Sequence, residues 1–128
     1  IVLEGKDVAI ISCGVMVSKS IEAAKILEKE GIFATVIDMH TIKPLDTELI
    51  DIVSNNCNCI VAVEDHSIIG GLGGAVCEHN SRTNLVPIEM IVVKDRFGES
   101  GSSEEVFKIM NMTEHDIVTA EKLAIARK

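Results

Sequence analysis

Four short, largely β-branched apolar runs alternate with segments whose apolar residues recur at helical spacing, and that alternation leaves this chain few folds to adopt. The first run, Val8–Ser12, is apolar on consecutive residues, as a strand buried on both faces must be. Behind it, Val17, Ile21, Ala24 and Leu27 mark one face of a helix, with Lys19, Glu22, Lys25, Glu28 and Lys29 mainly elsewhere around the axis. Gly31 ends that pattern. Residues 33–39 form a second strand, Pro44 breaks the chain after it, and Asp46 is the N-cap expected for a helix carrying Leu49, Ile50, Ile52 and Val53. Residues 59–63 read as a third strand closed by Glu64, Asp65 and His66, after which the glycine cluster at 70–74 opens a helix to about His79. Residues 87–93 make the fourth strand. After a turn at 95–98, Ser102 and Glu105 form a capping box ahead of Val106, Phe107, Ile109 and Met110. Thr113 is placed to cap a last helix with Ile117, Val118, Leu123 and Ile125. Strand and helix in strict turn predict an α/β fold, a parallel sheet with helices on both faces, because each crossover must pass over the sheet in the right-handed sense. The 128 residues carry no repeat or linker and read as a single domain, 1–128.

Composition narrows the function. A formal net charge of −8 repels nucleic acid and anionic membrane surfaces, and 2% aromatic residues leave no platform for stacking bases. No uninterrupted apolar run reaches the roughly 18 residues of a membrane span, and residues 1–7 lack the arrangement of a signal peptide. Neither nucleic acid nor a membrane is therefore expected as a partner. Cys13, Cys57, Cys59 and Cys77 are too few and too irregularly spaced for a disulfide scaffold, which points to a reducing, cytoplasmic setting. Cys57 and Cys59 have no second pair or His-x-His to complete a zinc site and read as structural thiols.

In an open α/β sheet, ligands lie beyond the carboxyl ends of the strands. The segments at that rim carry His40, Asp65, His66, Asp95 and Arg96, residue types suited to acid and base catalysis or to anion binding. The same residues equally serve to cap helices and pair with one another, and most polar rims hold no reacting group. Gly71 and Gly73 supply the first two positions of a dinucleotide fingerprint, but the third falls on Val76, whose branched side chain obstructs the helix packing a glycine would allow. The cluster is better read as a tight backbone passage. Lys19-Ser20 lacks the glycines of a phosphate loop, and Ser67 and Ser100 sit in no nucleophile elbow, so no stand-alone reaction is indicated.

Three segments carry more specific information: Asp-Met-His-Thr-Ile-Lys-Pro-Leu-Asp at 38–46, Val-Glu-Asp-His-Ser-Ile-Ile-Gly-Gly-Leu-Gly at 63–73, and Lys-Asp-Arg-Phe-Gly-Glu-Ser-Gly at 94–101. Together with Gly-Lys-Asp-Val at 5–8, they resemble the C-terminal domain of transketolases over essentially the whole chain, most closely the type made as two polypeptides. Related domains occur in 1-deoxy-xylulose-5-phosphate synthase and in the β subunits of 2-oxo acid dehydrogenases. The synthase usually has Glu-Asn where this chain has Asp65-His66, so His66 and the run at 97–101 favour transketolase.

The resemblance implies a three-layer α/β/α domain whose five-stranded sheet is mostly parallel, with one antiparallel edge strand at residues 1–4. It implies, for the whole enzyme, two-carbon ketol transfer between sugar phosphates, thiamine diphosphate and Mg²⁺ as cofactors, and a homodimer. In that family the cofactor is held by pyrimidine-binding and pyrophosphate-binding domains or subunits, through a Gly-Asp-Gly segment that this sequence lacks. No catalytic, cofactor-binding or metal residue is thus carried over, and the piece alone is expected to be inactive. His40, Asp65, His66, Gly70, Gly71, Asp95 and Arg96 are expected at a rim or at a domain or subunit contact. The competing expectations are a regulatory module whose rim captures a phosphate-containing ligand or nucleotide, and the equivalent domain of 1-deoxy-xylulose-5-phosphate synthase or of an oxo acid dehydrogenase β subunit.

Overall fold

The computed structural model describes residues 1–13, 16–39, 45–67, 71–93 and 114–128, with backbone alone for 64–67, 92 and 93. Strand β1 (Val8–Ser12) leads to helix α1 (Met16–Glu28), β2 (Ala34–Asp38), α2 (Thr47–Cys57), β3 (Ile60–Ser67), α3 (Leu72–Thr83), β4 (Ile88–Val93) and α4 (Glu114–Ala126). The expected capping box at Ser102 and Glu105 and the Thr113 cap lie outside the described residues.

The four strands form one sheet in the order β2-β1-β3-β4, parallel throughout. Because both faces are covered, alternate residues of each strand enter different cores. Val8, Ile10, Val36, Val61 and Val63 face α1 and α4, packing with Met16, Ala23, Leu27, Ile117 and Ala124. Ala9, Ile11, Ile37 and Ile60 face α2 and α3, with Ile50, Val53, Leu72 and Val76. The result is the expected three-layer α/β/α arrangement.

The fifth strand is not formed among the described residues. Residues 1–3 cross β2 antiparallel at one point, the bridge between Leu3 and Val36. Val2 N and Leu3 N both donate to Val36 O, at 2.8 and 3.3 Å, and Val36 N donates to Leu3 O at 2.9 Å. Two donors converge on the Val36 carbonyl, and beyond the bridge Gly5 bonds the Thr35 hydroxyl in place of the β2 backbone, so no ladder extends from it.

Local chemistry explains the element ends. At the end of α1, Ile32 N donates to Leu27 O (3.0 Å) and Gly31 N to Glu28 O (3.0 Å), with Gly31 at φ +78°. This is a Schellman closure, and it requires the left-handed conformation that glycine adopts at least cost. Asp46 caps α2, its Oδ1 accepting from Leu49 N at 3.2 Å. Asp46→Ala is expected to cost about 1 kcal/mol, read from the midpoint of urea unfolding. Asn58 ends α2 in the left-handed conformation (φ 62°) and sends the chain straight into β3, so that Cys57 closes the helix and Cys59 precedes the strand.

Two elements run further than expected. Strand β3 does not close at Val63 but continues through Glu64, Asp65 and His66 to Ser67, because β4 still flanks it there. Helix α3 passes His79 to Thr83, its last turns carrying the Arg82–Glu78 ion pair (2.9 Å) and Asn80, whose Nδ2 donates to Ser54 Oγ on α2 (2.9 Å).

Candidate functional site

Parallel strands place all four carboxyl ends on one edge. The pairings Ser12 with Asp38, Ser12 with Val63, and Ser67 with Val93 define that rim. Its floor is tied by Met39 N donating to Ser12 O (2.8 Å), Cys13 N to Val63 O (3.3 Å), and the buried Ser12 hydroxyl to Ile37 O (3.3 Å). Asp65 and His66 lie in the part of β3 that overshoots β1, between the pairs Glu64 with Val92 and Ser67 with Val93, where the register shifts. Such an irregularity bends a strand and changes the direction in which it presents its residues, and it recurs beside functional sites. Gly71 is the N-cap of α3, in extended backbone (φ −90°, ψ −169°), and its carbonyl accepts from Ala75 N at 3.1 Å. The rim thus brings Asp65, His66 and Gly71 to one end of the sheet. His40, Gly70, Asp95 and Arg96 lie outside the described residues.

The glycine cluster acts as a close helix–sheet passage at Gly73. A Cβ there would fall 2.6 Å from Met90 Sδ and 3.0 Å from Met90 Cγ on β4. Val76, in the place of a fingerprint's third glycine, is fully buried in the core against the sheet.

At the opposite, amino end of the sheet stands a polar fastening for which the sequence offered little signal. The Thr35 hydroxyl accepts from Gly5 N (3.0 Å) and donates to Gly5 O. Asp7 Oδ2 accepts from Phe33 N (2.7 Å), and Asp7 N donates to Phe33 O (2.9 Å). Both thiols of the C-x-C reach the same segment, Cys57 Sγ to Gly5 O (3.7 Å) and Cys59 Sγ to Asp7 O (3.4 Å). Burial pushes the Cys57 thiol up and Cys59 to about 11, so both stay protonated donors and poor nucleophiles. Among the described residues, no group of three or more His, Cys, Asp or Glu side chains could hold a metal ion.

Two charged groups on the α1/α4 side also escaped sequence reading. Lys19, 10% exposed at its side chain, pairs with Glu114 at 3.5 Å, and Glu114 lies below the usual carboxylate range through a backbone hydrogen bond and this lysine. Glu121 is fully buried, and neither carboxyl oxygen has a hydrogen-bond partner among the described residues. A charged residue in a helical pattern reads as solvent-facing, so no sequence signal marks it.

Comparison with known proteins decides the family. The model of the transketolase, C-terminal domain family matches residues 1–117. The chain belongs to that family. A putative transketolase C-terminal section from Methanocaldococcus jannaschii is 42% identical over 109 residues, covering 84% of this chain and 34% of the relative. A 6-deoxy-6-sulfo-D-fructose transketolase subunit from a Clostridium species is 36% identical over 98% of this chain and 39% of its own length. A 1-deoxy-D-xylulose-5-phosphate synthase from Caldanaerobacter subterraneus is 42% identical over 84% of this chain and 18% of the synthase.

Among solved structures, a split gene transketolase described as an inactive beta4 tetramer superposes with a TM-score of 0.94 at 42% identity, over 98% of this chain and 41% of that one. A Pichia stipitis transketolase, at 22% identity and TM-score 0.70 over 97% of this chain and 17% of that one, shares the fold. The chain spans about two fifths or less of each of these relatives. No helix among the described residues is long and apolar enough to cross a membrane.

Proposed function

We propose that this transketolase C-terminal domain is the assembly part of a thiamine-diphosphate-dependent enzyme that moves a two-carbon ketol unit from a ketose phosphate to an aldose phosphate. The observation that carries this reading is the TM-score of 0.94 to the split gene transketolase over 98% of the chain. In this reading, 1–128 is one domain, its partners are the pyrimidine-binding and pyrophosphate-binding domains or subunits, the whole enzyme is a homodimer, and it works in the cytoplasm. In this reading thiamine diphosphate and Mg²⁺ are held by those partners, a reading supported by the lack of a Gly-Asp-Gly segment in the sequence. The chain's own contribution is to pack and position, with His40, Asp65, His66, Gly70, Gly71, Asp95 and Arg96 meeting a neighbouring domain or subunit.

The reading is tested by reconstitution. The purified chain alone is expected to give no ketol transfer and no saturable thiamine diphosphate binding, and addition of the cofactor-binding subunits is expected to restore turnover. Ketol transfer by the chain alone would refute it. Arg96→Ala is expected to weaken assembly of the complete enzyme about tenfold or more, the loss of one charge-assisted contact, measured by sedimentation. Unchanged dissociation and unchanged activity would remove Arg96 from the contact. The equal identity to a 1-deoxy-D-xylulose-5-phosphate synthase sustains a second reading, in which the reconstituted enzyme makes 1-deoxy-D-xylulose 5-phosphate. Formation of that product in place of ketol exchange separates the two.

A further inference from the structure

Helix α4 is held by its apolar and small residues: Ile117, Val118, Ala120 and Ala124 are buried against α1 and the strands beneath. On that same inward side lies Glu121, with 0% exposure. Among the described residues neither Oε1 nor Oε2 meets a donor, so no hydrogen bond from them stabilises a negative charge there. A carboxylate stripped of water and left unpaired is far costlier than the neutral acid, so the group binds a proton or the helix moves to expose it. We propose that α4 is a proton-gated latch: it seats on α1 and the sheet while the Glu121 carboxyl is protonated, and ionisation of that carboxyl releases it.

The surroundings support a neutral group rather than an ion pair. From α1, Lys19 is bonded to Glu114, while Glu22, Lys25 and Glu28 are at least partly exposed. Beyond the end of α1, Glu30 is bonded to Lys122 at 2.9 Å. From β4, Glu89 is bonded to Arg127 at 2.6 Å. Just before β3 comes the Cys59 thiol, itself neutral and within reach of both Glu121 and the Lys128 cation beyond α4, and before β1 comes Asp7, which accepts from Phe33 N. Strand β1 has no ionisable side chain, and on α4 itself His115 and Asp116 lie in the first turn, away from the middle of the helix. None of these groups donates to Glu121.

Burial raises Glu121 from 4.5 to about 8. With the folded value above the unfolded one, the stabilisation is complete below about 4.5 and gone once pH has risen through about 8. Neutral pH therefore falls within the range where the latch weakens.

The test is amide hydrogen exchange by mass spectrometry on the full-length protein between pH 5.5 and 9.5, corrected for the chemical exchange rate. In wild type, the opening equilibrium of residues 114–126 is expected to rise about tenfold per pH unit up to about pH 8 and then level off, as linkage to one proton requires, while peptides from β1 and β3 keep their protection. In Glu121→Gln and Glu121→Leu, the rise is expected to vanish. A flat wild-type profile for α4 overturns the proposal without reference to any variant. So does the same pH slope in Glu121→Gln.

Discussion

Gly5→Val is expected to lower the stability of the chain by about 3 kcal/mol, the upper range for forcing added volume into a packed site. A Cβ at Gly5 would overlap the carbonyl carbon and oxygen of Phe33 and stand 2.7 Å from the Ala34 carbonyl carbon. All three are backbone atoms beside or within a paired strand, so none can step aside as a flexible side chain would. To relieve the overlap, the segment must lift, and the two Thr35 hydroxyl bonds and the Cys57 contact go with it. Urea unfolding followed by circular dichroism measures the loss. Thr35→Val, which removes the hydroxyl and keeps the volume, is expected to cost about 1–2 kcal/mol, the value of hydrogen bonds removed from a part-buried site. If Gly5→Val unfolds with an unchanged midpoint, the fastening does not hold the amino end.

Ile10→Ala is expected to cost roughly 2 to 5 kcal/mol, the range for truncating a large buried side chain, against a total of about 5–15 kcal/mol for a domain. Ile10 is at 0% exposure in the middle of β1, a strand flanked on both sides, paired with Val36 on one side and Val61 on the other. Its side chain enters the core between the sheet and the α1/α4 layer. Sheet pairing limits how far the neighbours can collapse, so the cavity should persist. Ile52→Ala supplies the contrast: at 47% exposure on α2 it is expected to change stability by less than about 1 kcal/mol. Equal losses in the two variants would show that the core is not organised as described.

The elements best read from the sequence are those whose cause is local. Val8–Ser12 declares itself because its apolar residues serve both faces of the sheet, and Asp46 and Gly31 announce helix ends through their own backbone chemistry. What depends on neighbours distant in sequence was not legible. Glu64 to His66 look like a strand end by polarity, yet β4 extends the pairing. On α1, Val17 and Ile21 suggest the inward face, whereas Met16, Ser20, Ala23 and Leu27 occupy it. On α4 the departure is larger: Leu123 is 53% exposed while Glu121 is fully buried, because the close approach of α1 favours the small Ala120 and Ala124 rather than the most apolar face.

For the site, the shared rim was legible, since parallel strands end on one edge. The register shift that sets Asp65 and His66 apart from the regular ladder was not, because it depends on the pairing of β3 with β4.

The strand order also has a temporal side. As these segments are made, β1 gains β2 on one flank, β3 on the other, and β4 beside β3, so each of these strands docks on an edge already present. Among the described elements, α2 and α3 cover one side of the sheet before β4 is made, whereas α4, which shares the other side with α1, is made after all four strands. Until α4 has emerged, Val61, Val63 and their neighbours lack part of their cover, and this is where a chaperone would find its grip.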